Sequence, residues 1–339
     1  MISGSMMINA AIVGMGRWGQ RLVDSVQGDG VEPSSLICFR KGVTRTPGKV
    51  TDYARKRGIT MVDTLAALLA DPEVDAVVLA TPHSEHPGQV LLCAQAGRPV
   101  FVEKPLALNL PDAMRLRAAC EQAGVLLAVG HNRRFFPAMR ELKRLAGDGS
   151  LGTLLHIEGN FSGSFGLEYD SSVWRASEKE APGGGLTLMG VHIFDAMIDL
   201  LGPIASVGAT SLRQVLNIEL DDTSAGVLRF AAGQSGYMST LTASARLWRL
   251  QLFGTKGWAH VLDHEILELG MVGQAVRRLT WPAEDAERYL MHAFAAALAG
   301  TAPYPVPLDD VLNGVAAMDA FVRSAAQGGA IVKVNGHSA

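Results

Sequence analysis

Short apolar runs alternate with helical patterns in the first part of the chain. Between Ile8 and Gly130, compact β-rich apolar runs are followed by segments in which apolar residues recur at helical spacing. This order is typical of a parallel sheet with helices on both faces. The predicted strands are 9–13, 35–39, 76–79, 99–102 and 126–129, and the predicted helices are 20–27, 64–70, 87–96 and 111–123.

The pattern changes after residues 147–150, where strands follow one another directly. Strands are predicted at 154–160, 207–212, 224–230, 234–242, 249–253 and 258–261, and helices at 191–200, 285–299 and 308–327. Consecutive strands of this kind form a mostly antiparallel sheet. The predicted fold class is therefore α/β: a doubly wound domain at 1–130, then an α+β domain with an open, mostly antiparallel sheet at 131–339.

Composition and charge exclude several classes of protein. The 339 residues are 48% hydrophobic and 19% charged, which disfavours disorder and suffices for two cores. The 30 basic and 33 acidic residues form no basic block, so the chain lacks the electrostatic footprint of a nucleic-acid-binding or membrane-surface protein. A small molecule is therefore the expected partner.

The cysteines and the N-terminal residues bear on the cellular compartment. Cys38, Cys93 and Cys120 are widely spaced and form no CxxC pair, which fits a reducing environment. Residues 1–7 lack the basic and apolar regions of a secretory signal, and no apolar stretch approaches the length of a membrane span. We therefore expect a cytoplasmic protein.

A glycine-rich turn follows the first predicted strand and leads into a helical pattern. In this context the first glycine permits a tight turn, the second lets the backbone approach a pyrophosphate, and the third packs the helix on the strand. The N–H groups at the start of the helix then face the phosphates. The predicted contacts of a nicotinamide dinucleotide in this Rossmann-type turn are Gly14, Met15, Gly16, Arg17, Trp18 and Gly19.

The residues that end the second predicted strand bear on the choice between NAD and NADP. An NAD site usually carries an acidic side chain there, which holds the ribose hydroxyls. This chain instead has Arg40 and Lys41, whose positive charges suit a ribose 2′-phosphate. We therefore expect NADP to be favoured, with NAD possible. The alternative is that both cations lie in an exposed loop and contact only water.

Further motifs follow in a fixed order along nearly the whole chain. Thr81-Pro82-His83 follows the strand at 76–79, and Glu103-Lys104-Pro105 ends the next one. The order continues with 130–137 (GHNRRFFP), 183–185 (GGG), 190–195 (GVHIFD) and 253–257 (FGTKG). As an ordered set, these motifs resemble the glucose-fructose oxidoreductase, inositol dehydrogenase and rhizopine-catabolism (Gfo/Idh/MocA) family of sugar and polyol dehydrogenases.

The resemblance implies an NAD(P)-dependent dehydrogenase or reductase that acts on CH–OH groups of carbohydrates. It implies a Rossmann domain followed by a substrate-binding and oligomerisation domain, with the active site between them. It also implies a homodimer or homotetramer, because the exposed sheet face of the second domain is commonly used for assembly. The cofactor contacts that it implies are Thr81, Pro82, His83, Glu103 and Lys104.

Two residues of these motifs carry the expected catalytic chemistry. Lys104 lies where a strand ends before Pro105, so its amine can hydrogen-bond an alcohol or carbonyl oxygen as hydride leaves or arrives. His192 is predicted early in a helix, and an imidazole that titrates near neutrality can take the hydroxyl proton. For Lys104 the alternative is a surface lysine at a strand end.

Substrate contacts are predicted at three further positions. Trp174 and Arg175 resemble a family segment near the substrate, and an aromatic face beside a guanidinium suits a sugar ring or a carboxylate. Asp195 shares a helix face with His192, so it could hold the ring, touch substrate or only make a buried hydrogen bond. Weaker pocket candidates are Arg133, Arg134 and Tyr169. For the two arginines, an interdomain ion pair is an equal alternative.

One position departs from the family pattern. Many dehydrogenases of the family carry an aspartate four residues before the histidine, and this chain has Leu188 there. Thr187 could donate a hydrogen bond but cannot replace a charge. The departure supports an alternative of another class, a catalytically silent nicotinamide-binding sensor or scaffold protein.

No metal site is expected. The chain has no HExxH motif and no Cys/His cluster. The other histidines include single, scattered positions at His131, His260, His264, His292 and His337.

Overall fold

The computed structural model describes residues 7–335, which form two compact units. The first unit contains the described residues up to Ala107, together with Pro111–Asn132 and Asp285–Leu308. The second contains Leu108–Leu110, Arg133–Glu284 and the described residues from Asp309 onwards. The main crossover lies close to the predicted boundary at 130–131. The predicted second domain is not continuous, however, because Asp285–Leu308 returns to the first unit.

The first unit is built on a six-stranded parallel sheet. Its strands are β1 (Ile8–Val13), β2 (Ile37–Val43), β3 (Thr60–Met61), β4 (Ala76–Leu79), β5 (Val100–Glu103) and β6 (Leu127–Gly130). They lie in the order β3-β2-β1-β4-β5-β6, and neighbouring strands are parallel. This is the strand order of dinucleotide-binding domains, where ligands bind beyond the carboxyl ends of the strands at which the order reverses, here β1 and β4. The predicted doubly wound fold is confirmed.

Five helices connect these strands. They are α1 (Arg17–Gln27), α2 (Thr51–Lys56), α3 (Leu65–Leu69), α4 (His86–Gln95) and α5 (Leu110–Ala123). Strands β4, β5 and β6 are buried along their whole length, as expected of central parallel strands. Thr64 caps α3, because its hydroxyl accepts the N–H of Ala67 at 3.1 Å. Helix α1 begins directly after Gly16, so the glycine turn runs straight into it.

The second part of the chain forms a nine-stranded mixed sheet. Its strands are β7 (Leu154–Ser162), β8 (Ile204–Leu212), β9 (Thr223–Phe230), β10 (Ser235–Leu241), β11 (Leu247–Gly254), β12 (Gly257–Asp263), β13 (Ile266–Met271), β14 (Arg277–Thr280) and β15 (Val332–Lys333). The order is β14-β13-β12-β11-β7-β10-β9-β8-β15. Within residues 7–335, β7 and β10 are parallel and the other neighbouring pairs are antiparallel. The helices of this part are α6 (Pro137–Gly147), α7 (Val191–Leu201), α8 (Ala286–Leu298) and α9 (Leu308–Ala326).

The two faces of the second sheet differ. A Cβ atom added to Gly159 of β7 would lie 2.6 Å from Ile193 and 2.9 Å from Met197, so this glycine lets α7 approach one face closely. Val227 and Tyr237 pair across β9 and β10 on the other face, because Tyr237 in turn pairs with Glu158, the neighbour of Gly159. Val227 is 53% exposed and Tyr237 is 37% exposed. The face away from α7 therefore presents apolar groups to solvent.

Helix α8 belongs to the first unit although it follows the second sheet in sequence. It packs against α1, and the ring of its Phe294 lies 5.8 Å from that of Phe101 on β5. Arg21 of α1 donates two hydrogen bonds to Asp285, at 2.8 and 3.0 Å. Asp285 also caps α8 by accepting the N–H of Arg288. Among the helices of residues 7–335, none is long and apolar enough to cross a membrane.

Candidate active site

The glycine turn has the geometry of a pyrophosphate cradle. Gly14 has φ +91°, and a Cβ atom added to it would lie 2.5 Å from the carbonyl oxygen of Ala80. A Cβ atom added to Gly19 would overlap the carbonyl oxygen of Gly14. By contrast, a Cβ atom added to Gly16 would meet nothing within 4 Å. Two of the glycines therefore allow the chain to turn and pack, whereas Gly16 keeps one side of the backbone open.

The start of α1 completes this cradle. The N-cap Gly16 makes no side-chain hydrogen bond to the helix, and the first turn contains no acidic residue. The N–H groups of an uncapped first turn are available to an anion, and the helix dipole favours negative charge there. The residues present therefore fit the pyrophosphate of a dinucleotide.

The Thr81–Pro82 segment lies beside the glycine turn. A Cβ atom on Gly14 would lie 3.0 Å from Cγ2 of Thr81, and the Thr81 hydroxyl donates to Gln89 at 2.7 Å. His86 is fully buried, with Nδ1 2.8 Å from the carbonyl oxygen of Pro105 and Nε2 3.1 Å from that of Thr81. His86 thus ties the end of β4 to the segment after β5. His83 is buried beside it, with ring centroids 5.9 Å apart.

Lys104 lies at the carboxyl end of β5, next to a buried acid. It is half-buried, and its peptide bond to Pro105 is cis. Burial raises the pKa of Glu103 to about 7, although the indole N–H of Trp18 and the charge of Lys104 both lower it. Oε1 of Glu103 and Nε1 of Trp18 are buried, and neither makes a regular hydrogen bond within the described residues. The end of β5 therefore joins Lys104 to the glycine turn through a buried carboxyl.

The structure corrects the prediction for the end of β2. The strand continues to Val43, so Arg40 and Lys41 lie within it and do not follow it. The pairing with β1 shifts between Phe39 and Lys41, which makes Arg40 the extra residue of a bulge. Nζ of Lys41 lies 3.0 Å from Asp71 and 3.4 Å from Glu73.

These contacts direct the two cations away from the glycine turn. Asp71 and Glu73 lie between α3 and β4, at the amino edge of the sheet, whereas the turn follows the carboxyl end of β1. Arg40 lies beside Cys38, whose pKa is raised by burial and lowered by Arg40. This placement does not support Arg40 and Lys41 as ligands of a ribose phosphate. The extension of β2 to Val43 and the bulge at Arg40 account for this placement of the two side chains, and neither feature can be predicted from the sequence.

His192 lies at the start of α7, after a π-helical turn at Leu186–Gly190. Such turns recur at functional sites. The imidazole is buried and its centroid lies 5.8 Å from that of Phe161 on β7. The hydroxyl of Thr187 donates to the carbonyl oxygen of Pro182 at 2.6 Å, so it is directed back into its own turn.

Leu188 is part of an apolar cluster and not of a polar relay. It is buried with Ala181, Met189 and Leu220, and partly buried hydrophobic side chains pack around them. One of these is Tyr169, a weaker pocket candidate, whose ring lies 5.3 Å from that of Phe165. The position at which the family resemblance implies an aspartate is therefore filled here by a well-packed apolar side chain.

Arg133 lies in an aromatic cage formed by Phe136, Phe161 and Trp248. Phe161 also lies beside His192. Its guanidinium carbon is 4.7 Å from the centroid of Phe161, 5.0 Å from that of Trp248 and 5.1 Å from that of Phe136. A guanidinium nitrogen also makes a short hydrogen bond to Nε2 of His264. Burial and the charge of Arg133 lower the pKa of His264 to about 4, so this imidazole is neutral at pH 7 and can accept that bond.

Asp195 is engaged in a buried ion network. Nη2 of Arg134 lies 2.6 Å from Asp195, and Nη1 lies 2.7 Å from Asp199 and 3.0 Å from Asp310. The side chains of Arg134, Asp195 and Asp199 are 6%, 3% and 6% exposed. These contacts hold α7 to the segment before α6 and to α9. They favour the alternative of a buried contact for Asp195 over the predicted substrate contact, and both partners of the Arg134–Asp195 pair belong to the second unit.

Trp174 and Arg175 form their own pair. The guanidinium carbon of Arg175 lies 4.1 Å from the ring centroid of Trp174, and both side chains are half-buried in a short 3-10 turn, Trp174–Ala176. The guanidinium therefore covers one face of the indole ring in a cation–π contact. Among residues 7–335, no group of three or more His, Cys, Asp or Glu side chains is arranged to hold a metal ion.

Comparison with known proteins connects these features to a family. Residues 8–131 match the oxidoreductase family with an NAD-binding Rossmann fold. Residues 139–260 match the GFO/IDH/MocA C-terminal domain. The chain belongs to the Gfo/Idh/MocA family. The two matches cover the glycine turn, Lys104 and His192, and they confirm the family that the ordered motifs indicate.

Individual members of the Gfo/Idh/MocA family match to different extents. The 1,5-anhydro-D-fructose reductase of Ensifer adhaerens is 26% identical over 93% of this chain and 97% of its own length. Myo-inositol 2-dehydrogenase of Thermotoga maritima is 32% identical over 56% of this chain and 57% of its own. For trans-1,2-dihydrobenzene-1,2-diol dehydrogenase of Bos taurus, at 28% identity, the match spans 64% of that enzyme, less than two thirds of its length.

Solved structures extend the comparison to the whole fold. An oxidoreductase from Desulfitobacterium hafniense superposes with a TM-score of 0.88 at 25% identity, covering 97% of this chain and 98% of that one. GenD2 of gentamicin A biosynthesis, solved with NAD, gives a TM-score of 0.84 at 27% identity, with 98% of each chain covered. The nicotinamide-binding fold is therefore shared over nearly the full chain.

Proposed function

We propose that the protein is an NAD(P)-dependent dehydrogenase or reductase that acts on a secondary hydroxyl or ketone of a sugar, polyol or related small carbohydrate. The observation that carries this proposal is the cradle, crowded at Gly14 and Gly19, open at Gly16 and continuous with the uncapped start of α1. The substrate class is supported by relatives that are named for anhydrofructose and inositol.

The proposed chemistry divides hydride and proton between two partners. In oxidation, the substrate carbon loses a hydride, for which a bound nicotinamide would supply the acceptor, and the substrate oxygen loses a proton. Lys104 hydrogen-bonds that oxygen and stabilises its developing negative charge, and His192 accepts the proton. Thr81, Pro82, His83 and Glu103 stay proposed cofactor neighbours, and Trp174 and Arg175 stay proposed substrate contacts. Asp195 is instead assigned to the ion network that holds α7.

The first test is turnover of a panel of sugars and polyols with either cofactor. Loss of a positioned acid–base group lowers rates by roughly 10²- to 10⁴-fold, so Lys104→Met should lower kcat/KM by that amount while cofactor binding persists. Lys333→Met is the matched control, because Lys333 is exposed on β15 of the second unit. A Lys104→Met protein with the parental rate would remove Lys104 from the mechanism.

A second candidate function is a catalytically silent nicotinamide-binding sensor or scaffold. Leu188 favours it, because an apolar cluster stands where the family resemblance implies a carboxylate. The presence of both Lys104 and His192, the two proposed catalytic residues, favours a catalytically active protein. Tight cofactor binding with no turnover of any panel member, together with a stable partner in a pull-down, would support the sensor or scaffold over the enzyme.

For the cofactor we propose that NADP is favoured over NAD through Arg45, a different cation from those that the sequence suggested. The N–H of Gly14 donates to the carbonyl oxygen of Val43 at 2.9 Å, which joins the end of β2 to the cradle. Arg45 follows this point and is exposed. A guanidinium in that position suits a ribose 2′-phosphate.

Two matched variants test this choice. Arg45→Asp should weaken NADPH binding about ten- to a hundredfold and leave NADH binding nearly unchanged, because one charge-assisted hydrogen-bond partner is lost. Arg40→Asp, at an exposed position inside β2, should leave both affinities unchanged. The reverse pattern would restore the sequence-based prediction.

We further propose a homodimer or homotetramer that assembles through the open face of the second sheet and works in the cytoplasm. Exposed Val227 and Tyr237 on that face support the assembly. Three unpaired thiols, Cys38, Cys93 and Cys120, support a reducing compartment. Sedimentation of the parent and of a Val227→Lys variant tests the assembly, because a charge in the centre of the interface should dissociate it.

A further inference from the structure

A chain of polar contacts, buried at Glu287 and Asn132 and partly exposed at Arg21, links α1, α8 and the end of β6 within the first unit. Glu287 on α8 is 7% exposed and accepts two hydrogen bonds, from Arg21 of α1 at 2.7 Å and from Asn132 at 2.7 Å. Asn132 is itself 3% exposed. One carboxylate, far along the sequence, therefore holds the helix that follows the glycine turn and the residues that follow β6.

The same carboxylate acts on Glu103. The Glu103 carboxyl lies against Gly130 of β6, because a Cβ atom added to Gly130 would lie 2.9 Å from Oε1 of Glu103. The negative charge of Glu287 raises the pKa of Glu103, in addition to the larger effect of burial. The groups that oppose this rise are the indole N–H of Trp18, the charge of Lys104 and the backbone N–H of Lys104.

We propose that Glu287 is a positioning residue for the Glu103–Lys104 end of β5, where it controls the charge of Glu103 while it anchors α1 and Asn132. Two like charges in a buried site resist simultaneous ionisation. Glu287 is held in place by Arg21 and Asn132, and Glu103 is the carboxyl whose pKa is raised. The link to catalysis rests on the proposed function, because it assigns the chemistry to Lys104.

The decisive pair of variants separates the charge of Glu287 from its role in packing. Glu287→Gln keeps the size of the side chain but removes the negative charge near Glu103. Asp285→Asn also removes a carboxylate that binds Arg21, but Asp285 is not among the main groups that shift the pKa of Glu103. Any effect of loosening the Arg21 contact should appear in both variants, whereas an effect on Glu103 should appear only in Glu287→Gln.

The readout is the pH dependence of Trp18 fluorescence in the cofactor-free protein. Trp18 lies beside Glu103, so the part of the signal that is lost in Trp18→Phe reports ionisation of that carboxyl. Glu287→Gln should move this transition to lower pH by roughly half to one unit, and Asp285→Asn should not move it. Glu287→Asp, which keeps the charge, should behave like the parent.

An unmoved transition in Glu287→Gln, or equal shifts in Glu287→Gln and Asp285→Asn, would overturn the proposal. If Glu287→Gln fails to fold, Glu103→Gln serves instead, because the Trp18-dependent transition must then disappear, and its persistence would equally overturn the proposal. These measurements need no substrate, so they stand even if no sugar is turned over. Should the protein be active, the acid limb of kcat/KM in Glu287→Gln should move in the same direction as the fluorescence.

Discussion

Arg134 offers a sharp test of how the second unit holds its proposed catalytic histidine. The guanidinium reaches Asp195, Asp199 and Asp310 and is 6% exposed. Replacing it with methionine keeps an unbranched side chain but leaves these carboxylates without their common cation. Lys143, 2.6 Å from Asp199, neutralises part of the remaining charge.

The size of the effect follows from the burial of the network. Removing one partner of a buried ion pair costs about 3–5 kcal/mol, because the other charge is left desolvated. For a domain of this size the expected fall in Tm is roughly 6–20 °C. The loss should shrink as the pH is lowered, because Asp310, which also loses its contact with Arg134, then takes up a proton. Burial already raises the pKa of Asp310, and the charge of Arg134 opposes that rise.

Thermal and urea unfolding of Arg134→Met at pH 7 and at pH 5 measure the effect. Arg144→Met is the matched control, because Arg144 also contacts two acids, Glu141 and Asp148, but its side chain is 57% exposed. Its melting point should stay close to that of the parent, as is usual for exposed pairs. If Arg134→Met were as stable as Arg144→Met at pH 7, the network would not hold α7 in the way described.

Three further substitutions test the glycine turn and the aromatic cage. Gly16→Ala should keep the parental melting temperature but weaken NADPH binding about tenfold or more, because its Cβ occupies the open phosphate side. Gly19→Ala should weaken binding and also lower the melting temperature, because its Cβ meets the Gly14 backbone. Thermal unfolding measures the melting temperatures and titration with NADPH measures the binding. Equal melting temperatures of the two variants would contradict this account of the turn. The pKa of His264 falls from 6.5 to about 4, so its contribution to stability is complete above pH 6.5 and is lost as the pH falls toward 4. Urea unfolding from pH 7 to pH 4 should therefore show a steeper decline in the parent than in His264→Gln, and equal slopes would contradict the buried neutral ring.

The parts of the fold with strong local signals could be predicted from the sequence. The predicted bounds of strand β4 are those observed, because a short run of alanine, valine and leucine with a polar segment before it indicates a buried strand. The glycine turn was recognisable because its three glycines have separate steric tasks. The helix at 191–200, predicted one residue short of the observed α7, ends where Gly202 takes a positive φ of 77°.

Long-range features could not be predicted, because nothing local encodes them. The return of α8 to the first unit depends on Arg21 and Phe101, which are far from it in sequence. The role of Asp195 was open because its partner, Arg134, lies in another segment. Strands β13 and β14 were missed, since alternation of polar and apolar residues is weak in β14, where the residues are mostly exposed.

The most direct test of the account is a titration of the purified protein with NADPH and NADH separately, followed by tryptophan fluorescence, because Trp18 lies within the glycine turn. The account predicts saturable binding of both, tighter for NADPH, and a signal change that is reduced in Trp18→Phe. Tighter binding of NADH would keep the dehydrogenase and discard the role of Arg45. Binding of neither cofactor would contradict the central claim that this glycine turn is a nicotinamide dinucleotide site.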